Sequence, residues 1–218
     1  AALDQSARVL KAAAAQGAPS DVGLGTYSEG YRMGQLSKFS LKRTLKKGFC
    51  KSGEGELLLG SDSSIAWRGS GDSRKLYNPW SFSSDESQAP PVVAQRGRYV
   101  WISYRQAQFR GLCRDTDYNL IEVQPVVPAS KPAAPCAATD RRGSRSEGFR
   151  VARIVKASHR GTVNSSFEIT LQVGGAGNDF LDMSTLERPI YDCAVQWLKS
   201  GARVNVEYLE SYIWNPTQ

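Results

Sequence analysis

The stretch "SEGYRMGQLSKFS" (Ser28–Ser40) returns later in the chain as "SEGFRVARIVKAS" (Ser146–Ser158). Six of the thirteen positions are identical: Ser, Glu, Gly, Arg, Lys and the final Ser. Most other positions exchange like for like, as where Tyr31 becomes Phe149. The chain therefore opens two segments in the same way, and the elements that follow each opening decide the fold.

A second strand follows each opening. In the first segment it lies within "GFCKSGEGELLLG" (Gly48–Gly60), and in the second within "HRGTVNSSFEITLQVGG" (His159–Gly175). In the latter, four apolar residues alternate with Glu, Thr and Gln over positions 167–173. Alternation with a period of two predicts a strand that buries one face.

A helix and a further strand come next in both segments. "RPIYDCAVQWLKSG" (Arg188–Gly201) places apolar residues at i, i+3, i+4, i+7 and i+8, which predicts an amphipathic helix that stops at its glycine. The first segment has "APPVVAQRG" (Ala89–Gly97), where two prolines permit only a shorter helix. From these glycines the chain enters "RYVWISY" (Arg98–Tyr104) and "ARVNVEY" (Ala202–Tyr208), which both read as strands.

A last strand, "YNLIEV" (Tyr118–Val123), closes the first segment, and "SYIW" (Ser211–Trp214) is its counterpart in the second. Strand, strand, short strand, helix, strand, strand is the element order of a five-stranded OB-type barrel. The sequence therefore predicts a mainly β protein of two tandem, small OB-like barrels, each with one helix. An SH3-like barrel stays open, because one sequence does not reveal the order of strands in a sheet.

The composition divides the chain into four parts. Residues 1–20 predict an Ala-rich N-terminal helix or tether, and residues 27–127 form the first repeat. A Pro/Ala-rich linker is expected over 128–145, and the second repeat over 146–218. Each repeat is long enough to bury a modest core of its own.

The charge is uneven along a chain of 218 residues with net charge +7. Lys and Arg minus Asp and Glu give 0 for residues 1–27, +5 for 28–128, +3 for 129–145 and −1 for 146–218. A protein built throughout for an anionic partner would carry positive charge in both repeats. No run of apolar residues approaches the roughly 18–20 of a membrane span.

Four cysteines, Cys50, Cys113, Cys136 and Cys193, are widely spaced, and none lies in a C-x-x-C pair. This spacing disfavours a zinc site and predicts two disulfides in an oxidising compartment, with Cys50–Cys113 the pairing we expect first. Four buried thiols are the alternative. The expected disulfides predict a periplasmic or other extracytoplasmic location. Because the chain begins with Ala rather than Met, we expect a trimmed product whose targeting segment, the expected membrane tether, precedes Ala1.

The first repeat resembles a family of small, membrane-anchored or exported bacterial proteins of uncharacterised role, with Lys-Thr-Trp-Glu-Gly-Glu-Leu and Gly-Asp-Thr-Asp-Tyr motifs. The matching stretches are "GFCKSGEGEL" (Gly48–Leu57), "NPWSFS" (Asn78–Ser83), "ISYRQ" (Ile102–Gln106) and "CRDTDY" (Cys113–Tyr118). The family's Trp is Gly53 here, and its Gly before Asp-Thr-Asp is Arg114. The resemblance implies an exported, β-rich protein and supplies no reaction.

Candidate catalytic groups are few. The lone His159 is expected in a surface turn, since a histidine base needs a nucleophile and an orienting partner that the sequence does not show. Paired carboxylates, Glu54 with Glu56 and Asp115 with Asp117, could hold a cation, but the further oxygen ligands of a calcium loop are missing. We therefore expect no enzyme activity, no metal and no cofactor.

A basic run, "KFSLKRTLKKGFCK" (Lys38–Lys51), lies where an OB barrel has a ligand-binding loop. If Val100, Ile102 and Tyr104 face inward, then Trp101 and Arg105 face outward. The predicted binding surface has Trp101 and Trp80 as anchors, surrounded by cations. Its residues are Trp101, Trp80, Arg105, Lys42, Arg43, Lys46 and Lys47.

Aromatic anchors inside a charged rim are typical of protein–protein contacts. We therefore expect a non-enzymatic, extracytoplasmic interaction module that meets a protein or an envelope component, with anionic lipid headgroups as a further possible contact for the cations. A single-stranded nucleic-acid-binding OB protein is the alternative, because an exposed Trp beside cations also suits base stacking. A hydrolytic enzyme is disfavoured.

Overall fold

The computed structural model describes residues 24–44, 50–59, 78–128, 136–137, 144–160, 166–173 and 179–211. The helix expected over 1–20, most of the linker, and the strand expected over 211–214 beyond its first residue lie outside these ranges. Lys46 and Lys47 of the predicted binding surface lie outside them too.

In its described residues, the first repeat contains five strands and one short helix. They are β1 (Leu24–Thr44), β2 (Cys50–Leu59), β3 (Asn78–Ser84), α1 (Ala89–Val93), β4 (Tyr99–Phe109) and β5 (Tyr118–Pro125). A 3₁₀ turn (Glu86–Gln88) leads into α1, whose two prolines occupy the first turn, where their missing N–H groups have no helical partner.

The second repeat follows the same order. It has β6 (Ser144–Arg160), β7 (Ser166–Val173), β8 (Asp179–Thr185), α2 (Arg188–Ser200) and β9 (Arg203–Ser211). The prediction of a mainly β protein with a helix in each repeat is confirmed.

The strands of the first repeat pair in a closed circuit. β1 pairs antiparallel with β2 along one stretch and with β4 along another, and β2 pairs with β3. β5 pairs antiparallel with β4, and it meets β3 in parallel where Asn119 lies opposite Ser83. An antiparallel contact between β1 and β6 joins both repeats into one nine-stranded mixed sheet.

The two repeats share their registers as well as their strand order. The β1–β2 ladder is irregular between Leu36 and Lys38, and the β6–β7 ladder is irregular at the equivalent step from Ile154 to Lys156. The β1–β4 and β6–β9 ladders also shift at equivalent places, and Val100 faces Gly34 as Val204 faces Ala152. Since a bulge is a specific local feature of a strand pair, this agreement supports the alignment of the two repeats.

The core of the first repeat is formed by the inward faces of its strands and by α1. Val100, Ile102 and Tyr104 are at most 1% exposed, as the alternation predicted. Trp80 is only 6% exposed and packs beside Phe82 and Tyr104, so its expected place on the outward face is wrong. β3 presents Trp80 to the core because it shares the inward side of that strand with Phe82.

The core of the second repeat includes residues of the first. Its own buried side chains come mainly from β6, β7 and α2, among them Val155, Leu171 and Leu198. Met33 of β1 is fully buried in the same cluster. Full burial of one such apolar side chain contributes about 1.5–3 kcal/mol, so the two repeats stabilise each other through this contact.

The helix α2 ends against the first repeat. Gly201 follows it with a φ of +64°, a backbone conformation that glycine adopts without strain, and its N–H donates to the Leu198 carbonyl oxygen. A Cβ atom on Gly201 would lie 2.6 Å from the Cγ1 atom of Val126. The end of α2 therefore fits the first repeat only because residue 201 has no side chain.

A disulfide links α2 to the region between the two repeats. Cys136, in the linker region, is bonded to Cys193 of the helix, with a Cα–Cα distance of 6.4 Å. Cys113 is also disulfide-bonded. The side chain of Cys50 lies outside the described part, so the Cys50–Cys113 pairing stays a prediction. The observed bond is consistent with an oxidising, extracytoplasmic location.

Among the helices in the described ranges, none combines the length and the apolar character that crossing a membrane requires.

Gly201→Ala and Gly97→Ala form a matched pair of variants at equivalent helix ends. Both residues have positive φ, but a Cβ on Gly97 would meet nothing within 4 Å. We expect Gly97→Ala to lower the free energy of unfolding by about 1–2 kcal/mol through backbone strain. Gly201→Ala should lose a further 1–3 kcal/mol or so through overpacking against Val126. Equal losses in urea titrations would contradict the contact.

Replacing both Cys136 and Cys193 by serine should lower the free energy of unfolding by roughly 2–4 kcal/mol, because the bond closes a long loop in the unfolded chain. Thermal unfolding with and without reductant measures the loss. Peptide mapping of the unreduced wild type should recover the two cysteines in one linked species, and two free thiols there would refute the bond.

Candidate interaction surface

The two repeats meet where part of β1 pairs with part of β6. We call this contact the junction, or the crossing, of the two repeats. Residues Ser28–Arg32 pair antiparallel with residues Lys156–Arg160, so that Gly30 lies opposite Ser158 and Tyr31 opposite Ala157. The first of these stretches is part of the motif that the chain repeats. The opening of the first repeat therefore also binds the second repeat along a strand edge.

Gly30 permits this pairing. A Cβ atom on Gly30 would lie 2.5 Å from the Ala157 carbonyl oxygen and 2.7 Å from the Ser158 Cα atom, both backbone atoms of β6. The equivalent Gly148 has a different neighbour, since its Cβ would lie 2.8 Å from the Tyr208 hydroxyl oxygen and 2.9 Å from the ring carbon that carries it. The glycine of the first opening is thus needed for contact between backbones, whereas that of the second faces a side chain.

The outward face of the first repeat is covered at this junction. Trp101 does point away from the first core, but it is half-buried against the second repeat. Its ring lies 5.9 Å from that of Tyr31, and the Nζ atom of Lys199 lies 4.4 Å from its centroid. The surface that we expected to receive a partner is occupied at Trp101 by the helix α2.

The predicted cations are partly neutralised within the chain. Lys42 pairs with Asp115, whose hydrogen bond raises the pKa of the Lys42 ammonium. Glu86 is shared by two cations: its carboxylate lies 3.1 Å from the Nζ atom of Lys51 and 3.4 Å from an Arg43 nitrogen. The hydrogen bond from Lys51 contributes most to lowering the pKa of Glu86.

Arg105, the third charged residue of the predicted surface that the structure describes, donates from its Nε atom to the Glu29 carboxylate over 2.8 Å. Of the predicted set, the structure therefore brings Arg105 and Trp101 to the junction between the repeats. Lys42 and Arg43 lie near the end of β1 instead, each beside a carboxylate.

The carboxylates that could have held a cation have separate partners. Glu54 is 8% exposed, and it accepts hydrogen bonds from the Ser52 hydroxyl at 2.8 Å and the Ser83 hydroxyl at 2.7 Å. Glu56 accepts one from the Ser37 hydroxyl at 3.1 Å. In the described part of the chain, no cluster of three or more His, Cys, Asp or Glu residues is arranged to hold a metal ion.

His159 lies in β6 and not in a turn, so its expected location is wrong. The centroid of its ring lies 5.1 Å from that of Phe167, and the residue lines a cleft of about 390 Å³ between the repeats. Tyr31 and Tyr191 also line this cleft, and burial raises the pKa of both hydroxyls. Two tyrosines that hold their protons more firmly than usual are poor bases at neutral pH.

A charged cluster lies next to the crossing. The Glu168 carboxylate accepts hydrogen bonds from Lys156 at 3.0 Å and from Arg160 at 3.3 Å. Burial alone would raise the pKa of Glu168, but these two cations outweigh that effect and hold the pKa below its usual value. The two cations on the receiving strand edge of the second repeat are therefore partly neutralised by Glu168.

One feature that the sequence analysis missed is a partly buried cation that packs against aromatic rings of the first repeat. The guanidinium carbon of Arg32 lies 4.8 Å from the Trp80 ring centroid, 5.4 Å from that of Tyr118 and 5.7 Å from that of Tyr104. Three strands supply these rings, and no spacing in the sequence relates them. The equivalent Arg150 of the second repeat is exposed.

Each repeat also has a strand edge that the junction does not use. Residues 146–151, which we term the β6 edge, correspond to residues 28–33. Of the described strands, only β9 pairs with this stretch. Phe149 and Val151 on it are 67% and 53% exposed, whereas their counterparts Tyr31 and Met33 are covered by the second repeat.

The complementary unused edge belongs to β1. Residues 38–42, the counterparts of 156–160, pair only with β2 among the described strands. Beside them a groove of about 320 Å³ runs between β1 and α1, and we term it the β1 groove. It is lined by Leu36, Ser37, Lys38, Phe39, Val92, Val93 and Arg96.

The fold and this junction define a class: a two-repeat, disulfide-bonded β protein whose repeats associate along strand edges. Residues 25–130 match a family described as a domain of unknown function, DUF8785. This match covers the first repeat. No curated protein and no solved structure matches the chain.

Gly30→Ala tests the crossing, and Gly148→Ala is its matched control. The first variant places a Cβ against the backbone of β6, which cannot shift without breaking strand pairing, so we expect a loss of about 1–3 kcal/mol in unfolding free energy. The second meets the side chain of the half-exposed Tyr208, which can rotate away, so its loss should be smaller. A larger loss for Gly148→Ala in urea titrations would contradict the assigned crossing.

Proposed function

We propose that this protein is a non-enzymatic interaction module that acts outside the cytoplasm and binds protein partners along strand edges. We further propose that each repeat is a barrel of the OB type. The closed circuit of pairings from β1 to β5, with a helix between β3 and β4, supports the barrel in the first repeat. The common registers support the same architecture in the second.

The observation that carries the proposal is the unequal covering of two equivalent surfaces. Tyr31 and Met33 are packed under the second repeat, whereas Phe149 and Val151 stand exposed on a strand that is unpaired on one side in the described structure. Exposed apolar residues beside an open strand edge favour addition of a strand from a protein partner, with the backbone giving affinity and the side chains specificity.

Charge favours a protein partner over a nucleic acid. Nucleic-acid affinity depends on cations that are free to neutralise phosphates. Lys42, Arg43 and Lys51 each have a carboxylate partner, and the net charge of residues 146–218 is −1. Trp101, the base-stacking candidate, lies against α2.

A photo-crosslinking phenylalanine analogue in place of Phe149 tests the proposal in the cells that produce the protein. We expect discrete crosslinked species that protease removes and nuclease does not. The same analogue in place of Phe109 is the matched control, since Phe109 is a phenylalanine of similar exposure, 62%, at the end of β4.

Equal crosslinking at both positions, or none at position 149, would overturn the proposal. Crosslinks to nucleic acid would favour the alternative function instead. In that case, the shift of a single-stranded oligonucleotide in a gel should weaken steeply between about 50 and 200 mM salt.

A further inference from the structure

We propose that the partner of the β6 edge is another molecule of this same chain, whose β1 groove receives it in a head-to-tail assembly. This inference rests on the proposed function, because it names the partner of the strand edge proposed there. In each such contact, residues 146–151 of one molecule would lie along residues 38–42 of the next.

The contact within the chain supplies the template. There, the start of β1 lies on the end of β6, with Ser28 opposite Arg160 and Arg32 opposite Lys156. The residue number of each β6 position is 118 higher than that of its β1 counterpart, as for Ser28 and Ser146. Transferring the pairing between molecules therefore places Ser146 opposite Lys42 and Arg150 opposite Lys38.

The apolar residues of the two repeats are also consistent with the same pairing between molecules. Within the chain, Tyr31 and Met33 project from the crossing strand toward the helix and core of the receiving repeat. Phe149 and Val151 stand at the equivalent positions and would project into the β1 groove. That groove is bounded by the receiving strand and its helix, as the junction is, and it offers Leu36, Phe39, Val92 and Val93 as apolar walls.

The helix explains why the groove is open. α2 has 13 residues and covers the junction with a long apolar face, whereas α1 has only 5. Val93 of α1 is 41% exposed at the groove. A short helix thus leaves room beside β1 for an incoming strand with its apolar side chains.

Net charge favours contact between unlike repeats, although Arg150 would face Lys38, as Arg32 faces Lys156 within the chain. Residues 28–128 carry a net charge of +5 and residues 146–218 a net charge of −1. Association of first repeat with second repeat therefore reduces repulsion, whereas association of two first repeats would increase it. A contact between unlike surfaces is heterologous, so each molecule keeps one free β6 edge and one free β1 groove until a chain or ring forms.

Sedimentation of the purified, unreduced protein over a concentration series tests the assembly. We expect the average mass to rise with concentration above that of one chain, 23.9 kDa. Phe149→Lys on the β6 edge and Val93→Lys in the β1 groove should each weaken association roughly tenfold or more, because a charge replaces a central apolar contact. Leu186→Lys, at a residue 58% exposed elsewhere, is the control and should assemble as wild type does.

A mixture of the two variants gives the decisive result. Phe149→Lys keeps an intact β1 groove and Val93→Lys keeps an intact β6 edge, so an equal mixture should form pairs with one molecule of each. Such pairs should not grow further. Complementation of this kind requires two different surfaces, and a two-fold interface would not show it.

Three outcomes would overturn the inference: a wild type that stays monomeric at all concentrations, assembly that survives both variants, or a mixture that does not pair. These outcomes can be distinguished from failure of the proposed function. If the protein stays monomeric while position 149 crosslinks to a different protein, the strand edge has another partner and only the self-assembly is refuted.

Discussion

The close approach of two backbones at Gly30 is the constraint on which the rest of the structure depends. At this point the first repeat lies against the second with no room for a side chain between them. The pairing that follows carries Met33 into the second core and sets Tyr31 and Trp101 beneath α2. Because apolar side chains of one repeat complete the core of the other, the two barrels proposed here would share part of one interior.

The same constraint leaves equivalent strand edges of the two repeats unequally covered. In each repeat, the start of the first strand can pair with the edge of a neighbouring repeat. The end of the same strand can be paired in turn by the first strand of another repeat. With two repeats in sequence, one adding strand and one receiving edge pair with each other, and among the described strands one of each is unpaired on one side. Phe149 stands exposed and the groove beside Phe39 stands open for this reason. An open edge with apolar residues is costly unless a partner covers it.

The local elements and the relation between the repeats could be predicted from the sequence, because period-two alternation, the apolar stripe before Gly201 and the doubled opening are all local patterns. The site was predicted less well. Trp101 was expected to face a partner, yet it faces α2, and Trp80 was expected outside, yet it lies in the core. Both errors concern packing between elements distant in sequence, which alternation along one strand does not report. The carboxylate partners of Lys42 and Arg43 likewise come from distant segments, the loop before β5 and the 3₁₀ turn before α1.

Hydrogen exchange at the backbone amides of the two openings tests the central claim most directly. In dilute protein, amides of residues 28–32 should be protected throughout, because β4 and β6 pair with this stretch from both sides. Amides of residues 146–150 should be protected only at alternate positions, since of the described strands only β9 pairs with them. Equal protection of the two stretches in dilute protein, or faster exchange at 28–32, would contradict the account.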